Sequence, residues 1–316
     1  MASRSRSAGD QPPARARPAK SRPANPRSAT PRLLQGATVG VIGVGQIGGS
    51  IVRRLSRLRP GLALCAFDRD TSLSAKIRRF GRWCRTLEEL VGQSDIVILA
   101  VPTQTAVGLM PRIARLTTER RRRRRLMVCD LSTVKATVLA AAAPHSATFD
   151  FVALHPLAGT EGQGWESADA ALFDGRRIVI CPSPARAGRI ARELIDLLGA
   201  TPVKMTARDH DGFAAEGIGL PHMLAFAASG LDAGGRAGQL LKGGSWRSLT
   251  RVAASNPTMV AGFLHENREN QLRALNRFLG QLHTLTRALC LPTSRGLERQ
   301  LEARQRRARK TGGGTR

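Results

Sequence analysis

The sequence predicts an α/β domain built on a doubly wound parallel sheet, followed by a domain made almost wholly of helices. Up to about residue 185, short apolar runs rich in β-branched residues alternate with segments of helical periodicity. That alternation is typical of a parallel sheet with right-handed crossover helices. Beyond this point strand signals almost vanish and long helical stretches follow. The 316 residues are enough for two domains, each with its own buried core.

The elements of the first domain follow one another in a regular order. A strand over residues 39–42 ends in glycines and leads into a helix over 47–58. Further strands are expected at 62–67, 95–102, 126–130, 149–154 and 177–181, with helical segments between them. The run at 95–102 is apolar on both faces, as buried parallel strands are. We therefore assign residues 36–186 to this domain.

The second domain, assigned to residues 187–295, is predicted to be helical. Helical periodicity covers 209–231, 247–254 and 257–289, and one weak strand signal lies near 202–204. Pro221 falls inside the first of these helices, where it removes a backbone donor and frees the carbonyl of Gly217. A kink is expected there.

The formal charge of +27 is concentrated in three segments. They are a Ser-, Pro- and Arg-rich tail over 1–35, a run of six arginines over 120–125, and a basic C-terminal tail over 296–316. We expect both tails to be disordered and the arginine run to be an exposed loop, because such compositions bury little apolar surface. Weak polyanion binding is the alternative, but no aromatic platform or zinc spacing predicts a specific nucleic-acid partner.

The chain is expected to be soluble and cytoplasmic. It has no apolar run of roughly 20 residues and no hydrophobic signal core. An organelle transit peptide over 1–35 is the alternative. The five cysteines show no C-x-x-C spacing, so we expect small core residues in a reducing compartment and neither a disulfide framework nor a metal site.

A glycine-rich loop, Gly43-x-Gly45-x-x-Gly48, joins the first strand to the first helix. In that context the glycines permit a tight turn, a close approach to a pyrophosphate, and close helix–strand packing, as in Rossmann-type dinucleotide-binding domains. Asp68 ends the second strand, where a carboxylate accepts from ribose hydroxyls and favours NAD over NADP; the adjacent Arg69 weakens this preference. The expected cofactor-binding residues are Gly43, Gly45, Gln46, Ile47, Gly48, Asp68, Arg69, Val101 and Pro102.

The stretch His155-Pro-Leu-Ala-Gly-Thr-Glu161 follows a predicted strand downstream of that loop. A histidine at the end of a strand, near the end of the cofactor, can take a proton while the nicotinamide takes a hydride. This pairing predicts the oxidation of an alcohol.

Five stretches together resemble the prephenate and arogenate dehydrogenases of tyrosine biosynthesis. They lie at 43–48, 130–135, 155–161, 210–222 and 249–257, and their order and rough spacing are also similar. The resemblance covers about residues 36–290. It implies a Rossmann-type domain followed by an all-α dimerisation domain, and therefore a homodimer. The implied reaction is NAD-dependent oxidative decarboxylation of a cyclohexadienol.

The resemblance also implies roles for individual residues. His155 becomes the proton acceptor, and Thr133 stands where the family usually has a serine that contacts the substrate hydroxyl; Ser132 could share that role. Arg251 becomes the clamp for a substrate carboxylate. The other residues expected at the substrate are His222 as a polar contact, Arg247 near the mouth, and Glu161 as a gating acid. Lys135 is expected to orient its loop, whereas His210 and Asp211 are as readily structural as functional.

The choice of substrate rests on one residue. Asn256 stands where many relatives have aspartate, and a neutral amide favours the keto acid prephenate over arogenate, which carries an ammonium group. The alternatives are an arogenate dehydrogenase, a hydroxyacid dehydrogenase of the same plan, and a non-catalytic NAD-binding module with basic tails.

Overall fold

A computed structural model describes residues 33–58, 62–120, 124–231 and 235–312. The disorder predicted for residues 1–32 lies outside these ranges. Residues 33–35, which the sequence assigns to the tail, form an ordered turn: Leu34 is fully buried in the core, and the Leu33 amide donates to the Glu193 carboxylate. In the described ranges no helix is long and apolar enough to cross a membrane.

Eight strands form one sheet in the order β3-β2-β1-β4-β5-β6-β7-β8. The strands are β1 (Thr38–Ile42), β2 (Ala63–Phe67), β3 (Arg82–Trp83), β4 (Ile96–Leu99), β5 (Met127–Asp130), β6 (Asp150–Pro156), β7 (Arg177–Ile180) and β8 (Thr201–Lys204). All pairings are parallel except that between β6 and β7. The fold is therefore the α/β sheet that the sequence predicts.

Helices cover both faces of this sheet. They are α1 (Gln46–Arg57), α2 (Ser74–Ile77), α3 (Leu87–Gln93), α4 (Thr103–Thr118), α5 (Lys135–Ala142) and α6 (Ala185–Leu197). Alternate residues of β4 enter different cores: Ile96 and Ile98 belong to one hydrophobic cluster, and Val97 and Leu99 to the other. A strand buried on both faces explains the continuous apolar run seen in the sequence. Four of the five cysteines are buried, as expected, whereas Cys290 is exposed at the end of α12; all five are free thiols.

Three features of the sheet differ from the prediction. The short edge strand β3 lies where the sequence predicts only helical segments. The connection from β6 to β7 holds only a short 3-10 turn (Trp165–Ser167), and an antiparallel neighbour needs no crossover helix. An apolar run carries no information about strand direction. In addition, the weak signal near 202–204 is the edge strand β8, so the sheet extends past the boundary that we placed at residue 186. Edge strands are only half-buried, which accounts for the weak pattern.

Beyond β8, the described part of the chain is mostly helical. It comprises α7 (Ala207–Ala214), a π-helical turn (Ala215–Gly219), α8 (Leu220–Ser229), α9 (Gly235–Leu240), α10 (Gly244–Thr250), a 3-10 turn (Arg251–Ala254), α11 (Pro257–Glu266), α12 (Arg268–Leu289) and α13 (Arg295–Gly312). The irregularity expected around Pro221 is the π-helical turn just before α8. The single helix expected over 257–289 is interrupted at Asn267.

The basic C-terminal segment is helical as far as the structure describes it, and not a disordered tail. Leu297, Gly296 and Gln300 on α13 are half-buried, and Arg304 donates to the Gln281 side chain of α12 at 3.0 Å. The few apolar residues of the segment therefore suffice for packing on α12. Of the arginine run, residues 121–123 lie outside the described ranges, while Arg125 donates to the Asp150 carboxylate at 2.7 Å.

Candidate functional site

The glycine-rich loop turns at the carboxyl end of β1, where the strand order reverses between β1 and β4. Gly43 has a φ of +86° and a Cβ there would lie 2.6 Å from the Ala100 carbonyl. A Cβ on Gly48 would lie 1.9 Å from the Gly43 carbonyl, so this glycine permits α1 to pack against the loop. A Cβ on Gly45 would meet nothing within 4 Å, which leaves open space at the start of α1.

The start of α1 has no side-chain cap, so its first amides point into that open space. Asp68 lies beside them: its carboxylate accepts from the Val44 amide at 2.8 Å and from the Asp70 amide at 2.9 Å. Each carboxylate oxygen keeps a lone pair for a further donor. Arg69 is exposed next to it. The other expected contacts, Gln46, Ile47, Val101 and Pro102, lie along the same edge, at the start of α1 and between β4 and α4.

His155 lies near the carboxyl end of β6 and is 7% exposed. Its Nδ1 lies 2.9 Å from Nε2 of His210, and Nδ1 of His210 lies 2.8 Å from Oδ1 of Asp211. The Asp211 carboxylate also accepts from the amides of Lys135 and Ala136 at 2.9 and 2.8 Å. These contacts join β6, α7 and the first turn of α5 at one place.

A buried ion pair lies directly behind His155. Lys135 and Asp130 are both fully buried and paired with each other, and Nζ of Lys135 also donates to the Leu154 carbonyl at 2.7 Å. Burial above all, then the Lys135 ammonium and the neighbouring His210, lower the pKa of His155 well below its ordinary value. The imidazole of His155 is therefore neutral near pH 7, which a proton acceptor requires.

The two candidate hydroxyls differ in their environment. The Ser132 hydroxyl is buried and donates to the Asp130 carboxylate at 3.0 Å. Thr133, the next residue, is half-buried in the segment that leads into α5.

The loop over 157–163 connects the cofactor edge to the helical part of the chain. At one end, the Gln46 and Thr160 side chains are hydrogen-bonded at 2.5 Å. At the other end, Glu161 forms an ion pair with Arg251, and Gln163 accepts from Nδ2 of Asn256 at 3.2 Å. The structure thus brings the predicted clamp, Arg251, to the loop that begins two residues after His155.

His222 lies on α8, beside the π-helical turn. Its Nδ1 lies 2.8 Å from the Ile218 carbonyl, and its Nε2 lies 3.5 Å from the Ser255 hydroxyl. Because a carbonyl only accepts, Nδ1 carries the hydrogen and Nε2 is left as an acceptor. Arg247 lies on α10 one turn before Arg251 and is exposed; within the described residues no hydrogen bond or ion pair joins its side chain to another expected site residue.

Sequence reasoning underrated two residues of this site. His210 and Asp211 lie 55 and 56 positions after His155, and no local pattern signals that their side chains reach it. The available signal was their adjacency inside a predicted helix, which a structural role explains equally well. Gln163 was missed altogether.

Comparison with known families identifies the same two-part organisation. Residues 52–206 match the model of the prephenate dehydrogenase nucleotide-binding domain, and residues 206–302 match that of the prephenate dehydrogenase dimerization domain. Together the two matches cover both parts of the chain.

Individual proteins of this kind are similar over most of their length. The chain is 27% identical to a cyclohexadienyl dehydrogenase of Zymomonas mobilis, over 79% of this chain and 88% of that protein. It is 26% identical to a prephenate dehydrogenase of Lactococcus lactis, over 83% of this chain and 74% of that protein.

One of the solved structures with the same fold is the prephenate dehydrogenase of Aquifex aeolicus in complex with hydroxyphenyl propionate and NAD+. It superposes with a TM-score of 0.77 at 22% identity, over 87% of this chain and 98% of that one. At this identity the match establishes the shared fold.

Proposed function

The chain belongs to the prephenate dehydrogenase family, and we propose that it catalyses the NAD-dependent oxidative decarboxylation of prephenate to 4-hydroxyphenylpyruvate. The observation that carries this proposal is the neutral, buried imidazole of His155 at the carboxyl edge of the sheet, one loop away from the Arg251 guanidinium. His155 supplies the proton acceptor for an alcohol, and Arg251 supplies the partner for a carboxylate. A substrate that carries both a hydroxyl and a carboxylate requires these two groups.

NAD fits the edge of the sheet where the glycine-rich loop turns. The open space at Gly45 and the uncapped amides of α1 suit a pyrophosphate, and the Asp68 carboxylate suits the ribose hydroxyls. The same carboxylate would repel a 2′-phosphate, which favours NAD over NADP. When bound, NAD accepts the hydride that leaves ring carbon C4 of the substrate.

His155 accepts the proton of the C4 hydroxyl as the hydride departs. The C1 carboxylate then leaves as CO2, because its bonding electrons complete the aromatic ring. The ring oxygen becomes a phenolate, and it takes back the proton that His155 had accepted. Arg251 holds a carboxylate of the substrate by exchanging its ion pair with Glu161 for one with the substrate. Thr133 is the better candidate for the hydroxyl contact, since the Ser132 hydroxyl is already bonded to Asp130.

The remaining expected contacts lie around this centre. His222 presents its Nε2 as an acceptor beside Ser255, and it packs edge-on against Phe263 at 5.4 Å between ring centroids. Arg247, exposed one turn from Arg251, adds positive charge near the mouth for a substrate with two carboxylates.

Preference for the keto acid over the amino acid is supported by how Asn256 is held. Its Oδ1 accepts from the Met259 amide at 3.1 Å and so caps α11, which leaves the Nδ2 donor directed toward Gln163. An amide donor suits a carbonyl and gives an ammonium group no negative partner. Aspartate would cap the helix equally well and present an acceptor instead.

An assay of NADH or NADPH production distinguishes the two substrates and the two cofactors directly. The full chain is assayed with prephenate and with arogenate, each with NAD and with NADP. We expect the highest kcat/KM for prephenate with NAD. Equal or higher kcat/KM for arogenate overturns the substrate preference, and failure with both substrates overturns the reaction.

We further propose a homodimer in the cytoplasm. The helical part of the chain matches a dimerization domain, and the free cysteines, four of them buried, are typical of a reducing compartment. Fractionation of the source cells tests the location, and recovery of the protein in an organelle would favour the transit-peptide alternative.

A further inference from the structure

The hydrogen-bonded side chains behind His155 end at the carboxylate of Asp211, which fixes the direction of their hydrogen bonds. Asp211 is 2% exposed, and both of its carboxylate oxygens accept from backbone amides at the N-terminus of α5. Its own carbonyl accepts from Nδ2 of Asn267 at 2.7 Å, at the break between α11 and α12. The carboxylate therefore has a fixed position, and the partial positive charge of the helix terminus stabilises its negative charge.

A carboxylate can only accept, so Nδ1 of His210, 2.8 Å from Oδ1 of Asp211, carries a hydrogen. In a neutral His210 the other ring nitrogen, Nε2, is then an acceptor. It lies 2.9 Å from Nδ1 of His155, so that Nδ1 must donate. A neutral imidazole carries one hydrogen, which leaves Nε2 of His155 as the unprotonated nitrogen.

We propose that His210 and Asp211 are positioning residues that hold His155 in the Nδ1–H tautomer and receive the proton that His155 takes up. The inference rests on the proposed function, in which His155 accepts the substrate hydroxyl proton. That proton goes to Nε2 of His155, and the Nδ1 proton of His155 passes to Nε2 of His210. The cation then resides on His210, beside Asp211, until decarboxylation leaves a phenolate on the ring and the proton returns to it through His155.

The charges around the two imidazole rings favour proton transfer from His155 to His210. The Lys135 ammonium is fully buried next to the Leu154 carbonyl and disfavours a cation on His155, although Asp130 pairs with it. His210 instead contacts the Asp211 carboxylate directly. The remaining titratable group on this side is the Cys181 thiol after β7, whose pKa is raised by burial to about 11, so it stays neutral.

The tautomer can be read without any substrate. In protein labelled with ¹⁵N-histidine, the ring-nitrogen chemical shifts distinguish protonated from unprotonated nitrogens, and a His155→Asn spectrum assigns the signals. We expect Nδ1 of His155 to be protonated and Nε2 to be bare. Protonation at Nε2 overturns the inference, and this result stands whichever substrate the enzyme uses.

Two replacements of His210 separate positioning from simple support. His210→Asn keeps a donor toward Asp211 but loses the acceptor for His155, whereas His210→Gln can place an acceptor where Nε2 was. We expect kcat to fall by about 10²-fold or more in His210→Asn, through loss of the correct tautomer, and by less in His210→Gln. His265→Asn, the same substitution at an exposed histidine of α11, is the matched control and should retain activity.

The pH profile supplies a readout that a purely structural role would not move. Burial, the Lys135 ammonium and His210 together lower the pKa of His155. His210→Asn removes the contribution of His210, so the ascending limb of kcat/KM should shift to higher pH. A fall in kcat with an unmoved limb, or kcat near that of the wild type, overturns the inference; thermal unfolding and NAD binding establish that the variant is folded.

Discussion

At the scale of single residues, the proposed reaction depends on a histidine that stays neutral because it is buried. The sequence identifies His155 by its motif and its place after a strand. The cause of its neutral state, however, is three-dimensional: Lys135, His210 and the apolar surroundings come from different elements. A single sequence predicts the residue type that the chemistry needs, but not the set of neighbours that tunes it.

Replacement of His155 tests the proton-acceptor role. In His155→Asn the side chain still fits a polar site but cannot take a proton near pH 7. We expect kcat with prephenate to fall by roughly 10²–10⁴-fold while the Kd for NAD stays within a few fold of the wild type. An unchanged kcat would remove His155 from this role.

The pH dependence of the reaction should reflect the lowered pKa of His155. An acceptor works only when unprotonated, so the ascending limb of kcat/KM should lie below pH about 6.5, the ordinary histidine pKa. The same shift acts on stability. Below about pH 6.5 the unfolded chain binds a proton at this residue that the native state does not, so the free energy of unfolding falls as the pH falls. An ascending limb of kcat/KM above pH about 6.5 that does not move in His210→Asn would contradict the assignment of this limb to His155.

Replacement of Arg251 tests the carboxylate clamp. Arg251 is 63% exposed and paired with Glu161, so its loss should change the stability of the fold little. We expect Arg251→Ala to raise KM for prephenate, with a loss of kcat/KM equivalent to about 2–5 kcal/mol if the bound substrate desolvates the charge pair. Arg251→Lys keeps the charge without the bidentate geometry, so its KM should lie between those of the wild type and Arg251→Ala. A wild-type KM in Arg251→Ala refutes the clamp.

At the scale of elements, the helical part departs most from its sequence pattern. Periodicity predicts helices over 209–231 and 257–289, and Pro221 predicts an irregularity. The π-helical turn over Ala215–Gly219 is that irregularity, whereas the break at Asn267 is a tertiary effect. Asn267 donates to the Asp211 carbonyl, and Gln271 packs against Gly219. No property of the local sequence signals either contact.

Two glycines of the π-helical turn make a matched pair. A Cβ on Gly219 would lie 1.9 Å from Nε2 of the buried Gln271, while a Cβ on Gly217 would meet nothing within 4 Å. We expect Gly219→Ala to lower the free energy of unfolding by about 1–3 kcal/mol through overpacking. Gly217→Ala should leave it unchanged or raise it by up to about 1 kcal/mol. Urea denaturation of both variants measures the difference, and equal stabilities would show that Gln271 adapts freely.

The strands were easier to predict than their arrangement. Each buried strand has an apolar run that identifies it, and the glycine-rich loop locates the edge where the cofactor fits. The antiparallel direction of β7 has no such signal, because strand direction is set by the connection. The edge strand β8 has only a weak one, because edge strands are half-exposed. The sequence therefore predicts the location of the candidate site better than the full set of residues that form it.

At the scale of the whole molecule, we propose that an apolar stripe on α12 is the surface that a second subunit covers. Leu272, Leu279, Leu282 and Leu289 lie within about a 100° arc of this helix and are 46–69% exposed. Such a stripe is unfavourable on a monomer. In the segment that matches a dimerization domain, the hydrophobic cluster around Val260 and Phe263 is small and includes Val134 from the residues before α5.

Charges on this stripe should dissociate the dimer. We expect the double variant Leu279→Asp and Leu282→Asp to sediment as a monomer at concentrations where the wild type is a dimer, because the interface would bury two unpaired carboxylates. Thr284→Asp places the same charge on the opposite side of α12 and should remain dimeric. A dimeric double variant would place the interface elsewhere.

Product stoichiometry tests the central claim most directly. The full chain is mixed with prephenate and NAD, and NADH, CO2 and 4-hydroxyphenylpyruvate are quantified in the same reaction. The account predicts one of each per prephenate consumed, with His155→Asn forming all three at the same reduced rate. NADH without CO2, or no NADH at all, would contradict it.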